Sequence, residues 1–246
     1  MSRYYVPPES VDMENFRAFI DKDEAHHIID VMRMKANDAI VVFDGIGKEY
    51  SGTIERIDTK KGTLTVKITK MSEVENLRAP EIYIAQAIPK KSKFDDIVEK
   101  ATELGASGIF PVITERTIVR PGNSSGRTLE RWRKIALEAA KQSGRLNIPE
   151  IYDVTPLRDL ASDLSGFDLI LFAWLSDGTV PLKEALKHQS PGKVLLMIGP
   201  EGDFTDQEAL MFKKPECRYI SLGRNVLKTD TAAFYLLSSV KYELLS

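Results

Sequence analysis

Residues 194–208 read Val-Leu-Leu-Met-Ile-Gly-Pro-Glu-Gly-Asp-Phe-Thr-Asp-Gln-Glu. The first five are an unbroken apolar run, as in a central parallel strand buried on both faces. The last four, Thr205 to Glu208, have the spacing of a capping box that opens a helix. Between them lies a loop with two glycines and a proline, where a ligand can approach the backbone closely. A tight turn without a ligand has the same local signature, so the stretch needs its neighbours to be interpreted.

Two further junctions have the same form. Residues 169–172 are apolar and lead into Ala173-Trp174-Leu175-Ser176-Asp177-Gly178. Residues 218–222 read as a strand and run into Gly223-Arg224-Asn225-Val226-Leu227-Lys228-Thr229-Asp230-Thr231-Ala232, which enters a helix predicted over 231–245. Upstream, residues 82–88 and 108–113 are strand-like, and 128–143 is periodic as a helix. Phe94, Ile97, Val98, Ala101 and Leu104 recur at helical spacing before Gly105, a predicted helix C-cap. Strands alternating with helices predict an α/β domain with a mainly parallel sheet, covered on both faces. Ligands bind such sheets at the carboxyl ends of the strands.

The segment before residue 73 has a different rhythm. Residues 40–43, 49–57 and 63–71 are β-branched, turn-separated runs, and 23–34 reads as a helix with Ile28, Ile29 and Met32 on one face. The expected organisation is a small β-rich domain over 1–72, a polar linker over 73–80 and the α/β domain over 81–246. The chain length of 246 suits one large or two modest domains.

The formal net charge is −2, which argues against a strongly basic nucleic-acid binder only if the charge is evenly spread. It is not: residues 89–145 hold 12 basic and 7 acidic side chains. Phosphate binding depends on such a local excess. A solvated helix face would give the same count. Cys217 is the single cysteine, which excludes an internal disulfide and fits a reducing compartment; a buried strand cysteine is expected. No apolar run approaches the length of a membrane span, so a cytoplasmic location is expected. His26, His27 and His188 lack ligand-spaced acidic or cysteine partners, and no metal is expected. A Walker loop, a dinucleotide fingerprint, HExxH and GxSxG are all missing.

These junctions, in this order, resemble the SPOUT class of methyltransferases, and within it the RsmE family, which makes N3-methyluridine in 16S ribosomal RNA. The motifs that carry the resemblance are residues 26–54, 85–117 and 136–151, IGPEGDF and LGRNVLKTDTA. The family usually has glycine at the position of Asp203, and arginine and glutamate at Lys228 and Asp230. The resemblance implies a PUA-like RNA-binding domain followed by a domain with a deep trefoil knot, with the knot and donor site at about 170–235. It also implies a homodimer and S-adenosylmethionine as methyl donor. The donor pocket it implies comprises Ala173, Trp174 and Leu175; Ile198, Gly199, Pro200, Glu201 and Gly202; Leu222, Gly223, Val226, Leu227, Lys228 and Thr229; and Ala232.

Uridine N3 is protonated at neutral pH, so methylation needs a general base or a cation that stabilises the anion. Glu201 is the first candidate base and Asp230 the second. Arg116 and Arg145 are candidates for holding the base and its phosphate. RNA contacts are expected from Arg3, Arg33 and Lys35 in the first domain, and from Lys90, Lys91, Lys93, Arg116, Arg120, Gln142 and Arg145 in the basic block. Two other readings stay open: a related enzyme acting on another rRNA or tRNA position, and a non-catalytic RNA-binding assembly factor of the same fold.

Overall fold

The computed structural model describes residues 3–73, 79–90, 93–118 and 125–245. The chain divides into two compact units, Met1–Asn76 with Ala140–Ile148, and Leu77–Ala139 with Pro149–Ser246.

In the first unit, β1 (Arg3–Tyr5), β2 (Val11–Asp12), β3 (Arg17–Asp21), β4 (Ala39–Phe43), β5 (Lys48–Asp58) and β6 (Thr63–Glu73) form one sheet in the order β1-β4-β5-β6-β3-β2. Strand β6 shows why: Leu64, Val66 and Ile68 alternate inward while Lys67 and Thr69 do not. Gly52 in β5 has a specific function, since a Cβ there would lie 2.2 Å from the Lys67 carbonyl oxygen. The core is closed by α1 (Lys22–His26), which continues as a π-helical turn over His27–Val31. Sequence periodicity predicts one continuous helix here. The π turn, with Met32 N–H bonded to the His27 carbonyl, rotates the face, so Ile28 is buried and Met32 is exposed.

The second unit contains β7 (Glu81–Ala87), α2 (Lys93–Glu103), β8 (Gly108–Ile113), α3 (Ser125–Ser143), β9 (Glu150–Ile151), β10 (Thr155–Pro156), α4 (Leu157–Ser162), β11 (Leu169–Ala173), β12 (Val180–Pro181), α5 (Leu182–Leu186), β13 (Lys193–Ile198), α6 (Asp206–Met211), β14 (Cys217–Ser221) and α7 (Thr229–Leu244). Helix α3 extends from this unit into the first, which takes its last residues from Ala140 onward. The sheet order is β10-β8-β7-β13-β11-β14-β12, with β9 beside β8, and its described pairings are all parallel. Central strands β13 and β11 bury nearly every residue, as their unbroken apolar runs require.

Local signals set the helix ends. Gly105 (φ +97°) follows α2: its N–H bonds the Thr102 carbonyl and the Ala106 N–H bonds the Ala101 carbonyl, the two bonds of a Schellman cap. Thr205 and Glu208 form the expected reciprocal capping box at α6. Helix α7 packs on β7, β13 and α2, and Ala232, Ala233, Leu236, Leu237 and Val240 make its buried face. Cys217 is buried. Among the described residues no helix is long and apolar enough to cross a membrane, and no three His, Cys, Asp or Glu side chains could hold a metal ion.

Candidate functional site

The three junctions meet. Strands β13, β11 and β14 are neighbours, and the loops after their carboxyl ends surround one cleft of about 380 Å³. That volume is within the range of small-molecule sites. Every residue expected in the donor pocket lines it except Gly202. Gly202 faces away: the Arg116 side chain packs within 3.3 Å of where its Cβ would sit. The cleft also takes in Lys93, Asp203, Ile220 and Asn225, which the motifs did not single out for it. Its apolar walls include Ile198, Ile220, Leu222, Val226 and Leu227, with loop backbone between them.

Side chains from several parts of the unit hold the 199–204 loop. Thr229 donates its hydroxyl to the Gly199 carbonyl (2.6 Å), and Gln86 Nε2 donates to Thr229 Oγ1 (2.9 Å). The Lys90 N–H donates to Glu201 Oε1 (3.1 Å). The Arg116 guanidinium donates to the carbonyls of Gly202 (2.6 Å) and Phe204 (3.4 Å). The Leu175 N–H donates to Asp203 Oδ2 (2.8 Å). Buried Glu208 accepts the Glu115 N–H (2.7 Å), tying the start of α6 to the loop that carries Arg116.

Gln86 was missed by motif reading. Fully buried near the end of β7 opposite Ile198, it has an Oε1 with no partner among the described residues. The available signal was a lone amide inside the apolar run Ile-Tyr-Ile-Ala-Gln-Ala-Ile over 82–88. Buried amides seldom persist without a hydrogen-bonding task.

The candidate bases and cations are placed unequally. Glu201 is exposed at the cleft rim. Asp230 does not line the cleft: it pairs with Lys93 at 3.1 Å. Burial alone would raise its carboxyl, but the hydrogen bonds from Lys93 and the Thr231 N–H outweigh this and hold it below the usual range. A carboxylate held in that state is a poor proton acceptor, which counts against Asp230 as a base. Lys93, expected at RNA, is the partner of Asp230 in this pair and lines the cleft. Arg116 is exposed, yet its guanidinium serves the 199–204 loop.

Arg145 and Gln142 belong to the first unit. Arg145 is half-buried, and burial pushes its guanidinium down to about 10, so it stays charged at neutral pH. Arg3, in the same unit, pairs with Glu49. Arg33 (φ +55°) and Lys35 are exposed just after the π turn. Lys90 is exposed. Lys91 and Arg120 lie outside the described residues.

Comparison with known proteins assigns the class. A family model described as an RNA methyltransferase domain matches residues 76–241, and one described as an RNA methyltransferase PUA domain matches residues 20–67. The chain belongs to this RNA methyltransferase family, in the branch of the ribosomal RNA small subunit methyltransferase E proteins. The Bacillus subtilis protein of that name is 31% identical over 99% of this chain and 97% of its own length. The Neisseria gonorrhoeae protein of that name was solved bound to S-adenosyl methionine. It is 27% identical and superposes with a TM-score of 0.82, covering 98% of this chain and 97% of the other. A Legionella pneumophila protein solved in complex with the cofactor SAM gives a TM-score of 0.83 at 29% identity, covering 98% and 97%.

Proposed function

We propose that this protein transfers a methyl group from S-adenosylmethionine to N3 of a uridine in small-subunit ribosomal RNA, giving N3-methyluridine. The observation that carries the reading is the convergence of the three strand-end loops on one cleft, at the place where a parallel sheet binds ligands. The family membership and the donor-bound relatives support the same reaction.

The cleft fits the donor chemically. Leu222, Val226 and Leu227 can flank a flat purine, and loop N–H and C=O groups can bond its edge. When bound, S-adenosylmethionine supplies an activated methyl group on a sulfonium. The protein's task is then alignment and exclusion of water. Of the two candidate bases, the ion pairing of Asp230 leaves Glu201 to take the N3 proton; Asp203, the other carboxylate lining the cleft, already accepts the Leu175 N–H. The Glu201 Oε2 is not occupied by the Lys90 N–H, which Oε1 accepts.

Uridine N3 is a pairing edge, so the target must be unpaired or extruded. In this reading Arg33 and Lys35 of the first unit, with the exposed Val31 and Met32 beside them, contact the RNA. The exposed stripe of α7 (Tyr235 at 47% and Tyr242 at 78%), continued by its C-cap Leu245 at 48%, forms the interface of a homodimer. The protein works in the cytoplasm, on rRNA or the small subunit.

Two measurements test this. Calorimetry should show S-adenosylhomocysteine binding; no binding rejects the enzyme and favours an assembly factor. Mass mapping of nucleosides in a strain lacking the gene should show loss of N3-methyluridine from small-subunit rRNA. If the modification persists, the substrate position is wrong.

A further inference from the structure

The ladder between β11 and β13 ends at the pair Phe172–Met197. Beyond it the two strands run out into the segments 173–175 and 198–203, and all of their residues but Gly202 line the cleft. One side chain bridges the gap: Asp203 Oδ2 accepts the Leu175 N–H at 2.8 Å.

This bridge is held at a cost. Asp203 has φ +60°, a left-handed conformation that disfavours residues other than glycine, although aspartate and asparagine tolerate it better than most. Its carboxylate is half-buried, and burial, the largest influence, raises its pKa against the Leu175 and Phe204 N–H groups and Arg116. The turn is fixed both from within the loop and from outside it. The Asp203 N–H bonds the Pro200 carbonyl (2.9 Å), and Arg116 grips the carbonyls on either side, at Gly202 and Phe204. The backbone turn and the half-buried carboxylate are therefore both held in place.

We propose that Asp203 is a positioning residue: by accepting the Leu175 N–H it latches the two loops that wall the cleft and thereby sets the affinity for the methyl donor. The proposal rests on the donor reading above. The latch acts before chemistry, by holding loop 173–175 at the spacing the donor needs and sparing that ordering step on binding.

The experiment is calorimetry of S-adenosylhomocysteine with wild-type protein, Asp203→Ala, Asp203→Gly and Asp203→Asn, with thermal melts as a check of folding. Ala and Gly both remove the acceptor, and Gly also relieves the backbone strain, so Asp203→Gly serves if Asp203→Ala fails to fold. Loss of a hydrogen bond to a charged acceptor should weaken binding about tenfold in both. Asp203→Asn keeps an oxygen acceptor and should stay within about threefold of wild type. With the donor S-adenosylmethionine, KM should rise in the Gly variant while kcat changes little. Wild-type affinity in a folded Asp203→Gly overturns the latch alone. Asp203→Asn as weak as Asp203→Ala overturns it in favour of a charge effect. A wild-type protein that binds nothing rejects the donor reading and the latch together.

Discussion

The hydroxyl of Thr229 donates to the carbonyl of Gly199 across 2.6 Å, joining the first turn of α7 to the loop after β13. Thr229 is buried, and its oxygen also accepts from Gln86, so one hydroxyl spans three chain segments. Replacing it takes this partner from the buried Gly199 carbonyl and from one N–H of the Gln86 amide, whose Nε2 keeps its bond to the Ala87 carbonyl. Thr229→Val should therefore cost about 2 kcal/mol of stability and weaken S-adenosylhomocysteine binding about tenfold, while Thr229→Ser stays near wild type. Urea titration and calorimetry check this. A valine variant with unchanged affinity would show that the Gly199 carbonyl needs no such anchor.

Glu201 allows the acid to be separated from the hydrogen-bond acceptor. Glu201→Gln keeps an oxygen for the Lys90 N–H. If the carboxylate removes the N3 proton, methylation of an rRNA fragment should fall at least about a hundredfold in this variant, with donor affinity within about threefold. Parallel loss of both in the glutamine and alanine variants would identify Glu201 as a loop support.

The Lys93–Asp230 pair predicts a pH effect of definite sign. Asp230 is depressed below the ordinary carboxyl value, so its contribution to stability is present above that value and disappears as pH falls through the lower folded-state one. The pair is partly exposed, so Asp230→Asn should cost only about 0.5 kcal/mol near pH 7. The difference from wild type should shrink as the pH falls below the ordinary carboxyl value. Denaturant melts across that range measure it, and a difference that grows in acid would refute the assignment.

Gly52 should tolerate no side chain. A Cβ would meet the Lys67 carbonyl at 2.2 Å, which is backbone and cannot yield without breaking the β5–β6 ladder. Gly52→Ala should lose about 3 kcal/mol, read as a lower urea midpoint. An unchanged midpoint would mean that the ladder adapts at its register shift.

Burial pushes the Cys217 thiol up to about 12. The native protein should leave a thiol-specific disulfide reagent unreacted at pH 8 and consume one equivalent once unfolded in guanidinium. Rapid reaction of native protein would show that β14 opens readily.

Legibility followed the range of the interactions. The cleft loops could be read because each combines an apolar run with a glycine or a cap, all within about 15 residues. Lys93 and Asp230 are 137 positions apart, and no local pattern says that they pair and so remove one candidate base. Gly202 belongs to the right motif yet turns its back on the cleft, because Arg116 comes in from another loop. Strands β1 and β3 escaped notice for a different reason. They are short, and β3 sets an exposed Phe19 between buried Ala18 and Ile20, which blurs the alternation.

The route of α3 has a consequence for biosynthesis. The first unit is incomplete at residue 76: Glu24 pairs with Lys141, Ile46 bridges to Asn147, and the Ile148 N–H bonds the Gly45 carbonyl. A nascent chain that has emerged only as far as β6 lacks all three, although every strand of the first sheet is already made. The amino-terminal unit therefore cannot mature on the ribosome ahead of the segment that follows it. It waits for β7, α2, β8 and α3, so a stop codon anywhere before residue 148 would leave neither unit whole.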